Sequence, residues 1–256
     1  MIALDSIAVS NSDVPNKWKN GSVNFNFRHQ FDSTGKEITF DFDYLNYRAN
    51  KKSQLDNIYY NSNWQLKGSD YLIGNLPTDI NVYSAKVDFT LPLKKGIKVE
   101  TGLKSSFVNP KNTAAYYNII SNKEEVDVNK TNNFNYKENI NAAYINLSKE
   151  IKKWSLQAGV RMEKTNNNGF QFGNPISKDS SFKNSYLGLF PNAFFNFNAS
   201  EKNQFSFSYG RRIKRPDYED MNPFLYYIDN YTYDHGNPFL KPSIANVLSC
   251  RTLINK

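Results

Sequence analysis

Four cations fall within five positions, at Arg211, Arg212, Lys214 and Arg215, and three carboxylates follow at Asp217, Glu219 and Asp220. Guanidinium groups in such density suit two jobs. They take phosphate or carboxylate oxygens through paired N–H donors, or they hold neighbouring acids and pin a loop. The first reading makes Arg211, Arg212, Arg215, Asp217, Tyr218, Glu219 and Asp220 a ligand-binding site. The second makes the same residues a loop latch, and it is preferred because the acids follow the arginines at once. The remaining chemistry is sparse. His235 beside Asp234, with Asp229 nearby, is the closest approach to a general-base arrangement, and neither it nor His29 has a nucleophile at a recognisable spacing. No catalytic residue is assigned. Glu124, Glu125 and Asp127 lack the glycine and alternate spacing of a calcium loop and read as a solvated acidic loop tip. A single cysteine, Cys250, excludes an internal disulfide framework or thiolate metal site. No cofactor is expected.

The arginine cluster stands at the end of a strand. Phe205, Phe207 and Tyr209 alternate with Gln204, Ser206 and Ser208, a period of two with one apolar and one polar face. Continued in phase, Arg212 and Lys214 fall on the polar face, and Arg211 and Arg215 on the apolar one. Pro216 has no N–H to offer a ladder and ends the strand. The same alternation precedes it along the chain. Val23, Phe25 and Phe27 are followed by Ile38, Phe40, Phe42 and Tyr44, then by Tyr83 to Leu91, Ile97 to Leu103, Trp154 to Met162 and Leu187 to Phe197. Near 134–148 two phases compete, Ile140, Ala142 and Tyr144 against Ala143, Ile145 and Leu147, which allows a bulge. Short turns are expected near residues 33, 94, 151 and 201, and long polar loops over roughly 49–79, 109–133 and 164–183 and around 228. This rhythm of short turn and long loop, on strands apolar outside and polar inside, is that of an outer-membrane barrel.

Composition agrees. Mean hydropathy is −0.67, yet aromatic residues make up 15% of the 256-residue chain. A barrel accounts for both, since only one face of each strand meets lipid. The net charge of +8 reads as lysines that decorate turns and strand ends, with attraction to anionic partners such as lipopolysaccharide as the other reading; outside 211–215 no run is dense enough for nucleic acid, and none is expected. No run of ~18 apolar residues exists for a transmembrane helix. Residues 1–10 lack the basic start of a signal peptide, so an export signal is expected upstream.

Several stretches carry a family resemblance. GRRIKRP at 210–216, Asn-Pro-Phe at 222–224, YTY at 231–233, GNPFL at 236–240 and Lys241–Pro242 resemble a signature of outer-membrane β-barrel proteins related to TonB-dependent receptors. DFDYLNY at 41–47, YSAKVDF at 83–89, NINAAYINL at 139–147 and WSLQAGVR at 154–161 are similar to the same family in the same order. The resemblance implies a cell outer-membrane protein of a Gram-negative bacterium that takes up a scarce nutrient through a plugged barrel. It implies an inner-membrane energising complex, acting through a plug domain absent from this chain, and a small-molecule or glycan cargo.

The expectation is therefore an all-β fold, an antiparallel transmembrane β-barrel, with residues 1–256 one partial barrel domain of about nine to ten strands. An open sheet of that size leaves edges that hydrocarbon does not tolerate, so the chain alone is expected not to close. Phe40, Phe42, Phe89, Val99, Leu156, Val160, Phe205 and Phe207 are expected to face lipid, and Arg28, Asp41, Asp43, Lys86, Glu100, Gln157, Arg161 and Ser206 the lumen. Tyr226, Tyr227, Tyr231 and Tyr233 read as an interface girdle, with a loop core or a sugar-stacking platform as the other readings. Two rival functions are a soluble carbohydrate-binding or glycosidase β-sandwich and an outer-membrane barrel enzyme.

Overall fold

The computed structural model describes residues 5–175, 178–200, 203–229 and 231–254. The expectations that touch residues 2–4, 201–202 and 255–256 lie outside the described residues. The strands are β1 (Ser6–Asp13), β2 (Asn16–Gln30), β3 (Glu37–Asn61), β4 (Leu66–Leu93), β5 (Ile97–Ile120), β6 (Lys123–Val126), β7 (Asn132–Ile151), β8 (Trp154–Phe172), β9 (Ser180–Asn198), β10 (Asn203–Lys214), β11 (Tyr226–Tyr227), β12 (Tyr233–Asp234) and β13 (Ser243–Ile254). One antiparallel sheet runs β1-β3-β4-β5-β7-β8-β9-β10-β13, with β2 on β3 and β6 on β5; β11 and β12 form a separate ribbon. β1 and β2 share one edge of β3, pairing with Gln54–Asn61 and Glu37–Lys51 respectively, and break at Val14–Pro15. The sheet is open, with β1 and β2 at one edge and β13 at the other.

The short turns near 33, 94 and 151 form as expected. Phe31 N–H donates to the Lys36 carbonyl across a turn in which Gly35 takes φ +90°, a conformation that favours a residue without Cβ. A 3-10 turn at Lys94–Gly96 joins β4 to β5. Of the long loops, the one around 228 forms as the connection between β10 and β13, and the other three do not. β3, β4 and β5 run for 25, 28 and 24 residues, well over the ~9–11 that cross a bilayer. Most of 49–79, 109–133 and 164–183 is therefore strand, closed by tight turns such as Ser121–Asn122, where both residues have positive φ. Pro77 and Pro110 lie inside β4 and β5 without breaking them. The ladder merely skips them and resumes in unchanged register, at Thr78↔Asn112 between β4 and β5 and at Lys111↔Asn135 between β5 and β7.

The two faces separate by strand parity. Phe40, Val87, Leu103, Ala143, Met162 and Leu189 are successive register partners on the outer face, where Leu103 is 63% exposed. The adjacent inner row is Asp41, Lys86, Lys104, Ala142, Glu163 and Gly188. β7 keeps one register against β8 throughout, so the competing phases near 140 resolve without a bulge: Ala143, Ile145 and Leu147 go out, and Ile140, Ala142 and Tyr144 go in. The exposed apolar band is rimmed by aromatics. Tyr44–Tyr83 and Tyr83–Phe107 ring pairs, 5.0 and 6.5 Å apart, mark one rim; Trp154 against Phe197 and Phe195, at 3.9 and 4.9 Å, marks the other. Between rims β5 contributes residues 97–107, which at ~3.3 Å rise and ~40° tilt gives roughly 25 Å, the height of a lipid-facing band. Above that rim the apolar phase inverts. Leu55, Leu72, Leu76, Ala114, Tyr116, Phe134 and Tyr136 all take inner-face parity and are buried. They form a core with Met221 and Phe224 from the long connection between β10 and β13.

Candidate functional site: a luminal arginine cluster and the segment it meets

β10 delivers Arg212 on the inner face, two residues after Gly210, which pairs with the inner-facing Asn192 of β9. Arg211 and Arg212 are exposed and make no ion pair among the described residues. Arg215 corrects the expected phase. The strand ends at Lys214, so alternation no longer governs, and the side chain turns inward to the Glu163 carboxylate on β8 and to Thr165 Oγ1 at 3.3 Å. Glu163, with a side chain only 6% exposed, also accepts Arg161 at 2.7 Å, and Arg161 lies over the Phe190 ring at 5.7 Å. One carboxylate thus serves two guanidiniums, and Arg215 Nε has no hydrogen-bond partner among the described residues. Lys86 pairs with Asp88 at 2.5 Å on the same inner surface, and Asp88 also accepts the Tyr144 hydroxyl.

The acids named with the arginines take other places. Asp217, Glu219 and Asp220 form no ion pair among the described residues; Glu219 accepts the Tyr218 hydroxyl at 3.1 Å, and the Asp220 carbonyl accepts Asn237 N–H at 2.6 Å. Tyr218 packs against the buried core, and burial pushes its hydroxyl above the usual phenol range. The two Asn-Pro-Phe runs build the same local turn. Asn222 Oδ1 accepts Phe224 N–H at 3.1 Å, and Asn237 Oδ1 accepts Phe239 N–H at 2.9 Å. They are then tied together, since Gly236 N–H donates to the Asn222 carbonyl at 2.9 Å. A Cβ at Gly236 would stand 2.5 Å from the carbonyl oxygens of both Asn222 and Asp220, so only glycine fits this crossing.

The tyrosines are corrected too. Tyr226 and Tyr227 pack on the interior core and not at a lipid interface, while the girdle comes from Tyr44, Tyr83, Phe107 and Trp154. Burial pushes the Tyr116 and Tyr226 hydroxyls up to about 12, so both stay protonated. Tyr116 donates to the Leu225 carbonyl at 3.4 Å and Tyr226 accepts from Asn222 Nδ2 at 2.9 Å. Asp127 is structural as well. Burial works to raise its pKa, but hydrogen bonds from Lys130 and Asn118 outweigh it and hold the carboxyl below its usual range. His235 meets the Gly236 carbonyl through Nδ1 and the Tyr233 ring at 6.2 Å, and His29 lies edge-on to Phe31. Glu163 and Thr165 were not singled out from sequence. The available signal was parity, because Glu163 ends the polar face of β8 opposite the inner face of β7.

The open antiparallel sheet, its exposed apolar band and its aromatic rims describe a barrel wall, and comparison with known proteins agrees. A profile of the outer membrane protein beta-barrel family matches residues 29–255. The chain belongs to this family. Its place is the cell outer membrane, and a soluble carbohydrate-binding sandwich does not fit, because among the described residues no second sheet covers the apolar face of the large one. No curated protein matches the chain. Among solved structures, the ferric yersiniabactin uptake receptor of Yersinia pestis is similar at TM-score 0.52 and 12% identity, over 86% of this chain and 34% of the receptor. The siderophore receptor PiuA of Acinetobacter baumannii is similar at TM-score 0.51 and 12% identity, over 96% and 47%. The copper transporter OprC is similar at TM-score 0.52 and 11% identity, over 98% and 47%. The chain thus spans between a third and a half of the length of these proteins and shares the fold of this barrel type, which carries receptors and transporters.

Proposed function

We propose that residues 1–256 form part of the barrel wall and outer vestibule of an energised nutrient-uptake receptor. The observation that carries this reading is the folding of the segment between β10 and β13 onto the inner face. Met221 and Phe224 are 2% exposed there, against strands that run far past the membrane band. A wall with an ordered inner lining has a vestibule to shape; a sheet that served only as an anchor would need no strands of this length. The similar fold of the yersiniabactin, siderophore and copper proteins supports uptake as the role. Energy would reach the barrel through a plug domain and an inner-membrane complex. The outer face meets lipid and lipopolysaccharide. An enzymatic role has less support, because the similar structures are receptors and transporters.

Deleting the gene and supplying siderophore-bound iron, copper or oligosaccharides as limiting nutrients tests the reading. One uptake rate should fall in the deletion strain, recover on complementation, and collapse with a protonophore. Uptake that persists with the protonophore would mean a passive pore.

Within the vestibule, Arg215 and Glu163 are assigned the loop-latching role. Arg215→Ala removes the partner of a carboxylate that is almost fully buried, and a broken buried pair costs several kcal/mol, about 3–5 when both groups are enclosed. Arg215 is 21% exposed and Arg161 remains on Glu163, so about 1–2 kcal/mol is expected here. Limited proteolysis between Asp217 and Tyr233 should accelerate in Arg215→Ala and stay unchanged in Arg212→Ala. Equal acceleration in the two variants would remove the special place of Arg215.

A further inference from the structure

Just past one aromatic rim, the lipid-facing side of the sheet carries a belt of cations. That rim is marked by Tyr44, Tyr83 and Phe107, and the strands run on beyond it, while short turns close the opposite end. Short turns face the periplasm in this architecture, so the belt faces the outer leaflet. On β3, β5 and β9 the outward phase places Arg48, Lys111 and Lys183 four positions past Tyr44, Phe107 and Leu187. β2 adds Lys19, the direct partner of Arg48; β8 adds Lys164, two positions past Met162; and β7 adds Lys137, six past Ala143. Arg211 of β10 is outward as well, two past Tyr209. With a rise of ~3.3 Å along strands tilted ~40°, these cations stand about 5–15 Å beyond the apolar band. Among the described residues the belt holds one carboxylate, Asp79, which pairs with Arg48 at 3.0 Å and lies opposite Lys111. All seven cations are exposed, and the six besides Arg48 form no ion pair among the described residues.

The inner face is organised differently. Opposite signs mix and pair there, as in Arg28–Glu37, Lys86–Asp88, Lys98–Glu100 and Arg161–Glu163. Solubility is served by interspersed charges of both signs. A single sign, confined to the face and height of the lipid headgroups, matches an anionic surface. We infer that the belt is a docking surface for lipopolysaccharide, whose lipid A carries phosphates on a sugar pair at that height. Its densest part lies on β7, β8 and β9, where no acid points outward past the rim. Lys137 and Lys183 are the two direct cross-strand partners of Asn168, so they stand about 10 Å apart, two strand spacings. Lysine's flexible four-carbon stem lets both ammoniums close on one phosphate, and the Asn168 amide between them suits a sugar hydroxyl. Lys164 lies about 14 Å from either lysine, far enough to take a second phosphate of the same headgroup. Below them Met162, Leu187 and Leu189 are exposed on the same face, so acyl chains and phosphates of one lipid meet matching surfaces. The inference rests on the outer-membrane place of the chain and deepens the proposed contact with lipopolysaccharide. It does not depend on uptake, and its failure leaves the cellular uptake assay standing.

Bisphosphorylated lipid A serves as the probe, added to the full-length protein in non-ionic detergent and followed by native mass spectrometry. Lipid A stripped of both phosphates and phosphatidylglycerol are measured in parallel. Saturable binding of the bisphosphorylated form is expected, at least tenfold tighter than either comparison lipid and weakening as salt screens it. Lys137→Gln combined with Lys164→Gln and Lys183→Gln should weaken it at least tenfold, whereas arginine at the same positions keeps the charge and should retain it. Lys94→Gln combined with Lys95→Gln and Lys152→Gln removes equal charge from exposed turns at the opposite rim and should leave binding unchanged. Lys137→Gln alone, at an exposed side chain that makes no ion pair, covers the case in which the triple variant fails to fold, and should weaken binding severalfold. Undiminished binding in the belt variants would overturn the inference, and so would equal loss in the two glutamine triples, which would indicate general attraction. Phosphatidylglycerol bound as tightly as lipid A would overturn it too, since the belt would then take any anionic lipid.

Discussion

Truncation of Phe224 to alanine is expected to free the segment between β10 and β13 while the strands remain standing. Phe224 is 2% exposed and meets Phe134 edge-to-face at 6.1 Å and Tyr226 at 6.3 Å. Removing a buried phenyl ring leaves a cavity and costs about 3–5 kcal/mol. The cost falls on one unit, because the segment's other deep anchors are Met221 and the Asn222–Gly236 crossing. Denaturant-dependent proteolysis of the folded protein should therefore show early cleavage within residues 217–242, with the transition of the main sheet little changed. Phe239→Ala is the matched control. Phe239 occupies the equivalent place in the second Asn-Pro-Phe turn but is 73% exposed, and a change within about 0.5 kcal/mol is expected. Equal sensitivity of the two variants would mean that the segment is not seated on Phe224.

The second large effect belongs to the outer face. Leu103 and Val160 lie midway between the aromatic rims on β5 and β8, and both point away from the inner row. An arginine at either should cost about 2–4 kcal/mol near the bilayer midplane. Leu156 stands only two residues from the Trp154 rim, so Leu156→Arg should cost less, about 0–1 kcal/mol, as its charge reaches the interface. Equilibrium refolding into phospholipid vesicles gives the order directly. A flat response along β8 would show that the band is not immersed as its rims imply.

Much of the wall was legible from alternation alone. Every apolar run read from sequence lies on a strand of the sheet, and the outer-face assignments from Phe40 to Phe207 agree with the register. Legibility stopped where lipid stops. A polar inner face opposite an apolar outer one is a signal imposed by the membrane. Past the rim the outer face meets water, and the inner face of β3, β4, β5 and β7 packs a core, so Leu55, Leu72, Tyr116 and Phe134 appear in the opposite phase among Asn and Lys. Read without that inversion, such stretches resemble loops. The inversion is present in the sequence: Val99 and Leu103 have odd numbers, and Ala114 and Tyr116 on the same strand have even ones.

The candidate site was half legible for a related reason. The arginine cluster declared itself by density, and Arg212 obeyed strand phase. Arg215 did not, because β10 had already ended, and its partner Glu163 lies 52 positions away in sequence. Local spacing therefore offered Asp217, Glu219 and Asp220 as partners. The acids nearest in sequence lost to one brought close by the ladder from β8 through β9 to β10.

The central claim is that one face of this sheet meets lipid and the other lines an aqueous interior. Cysteine accessibility tests it most directly. In a Cys250→Ser background of the full-length protein in intact outer membranes, Leu103→Cys, Lys104→Cys, Ile145→Cys and Asn146→Cys are each exposed to a charged, membrane-impermeant maleimide. Lys104→Cys and Asn146→Cys should label, and Leu103→Cys and Ile145→Cys should stay protected until detergent is added. Equal labelling of all four, or labelling of Leu103→Cys and Ile145→Cys alone, would contradict the account.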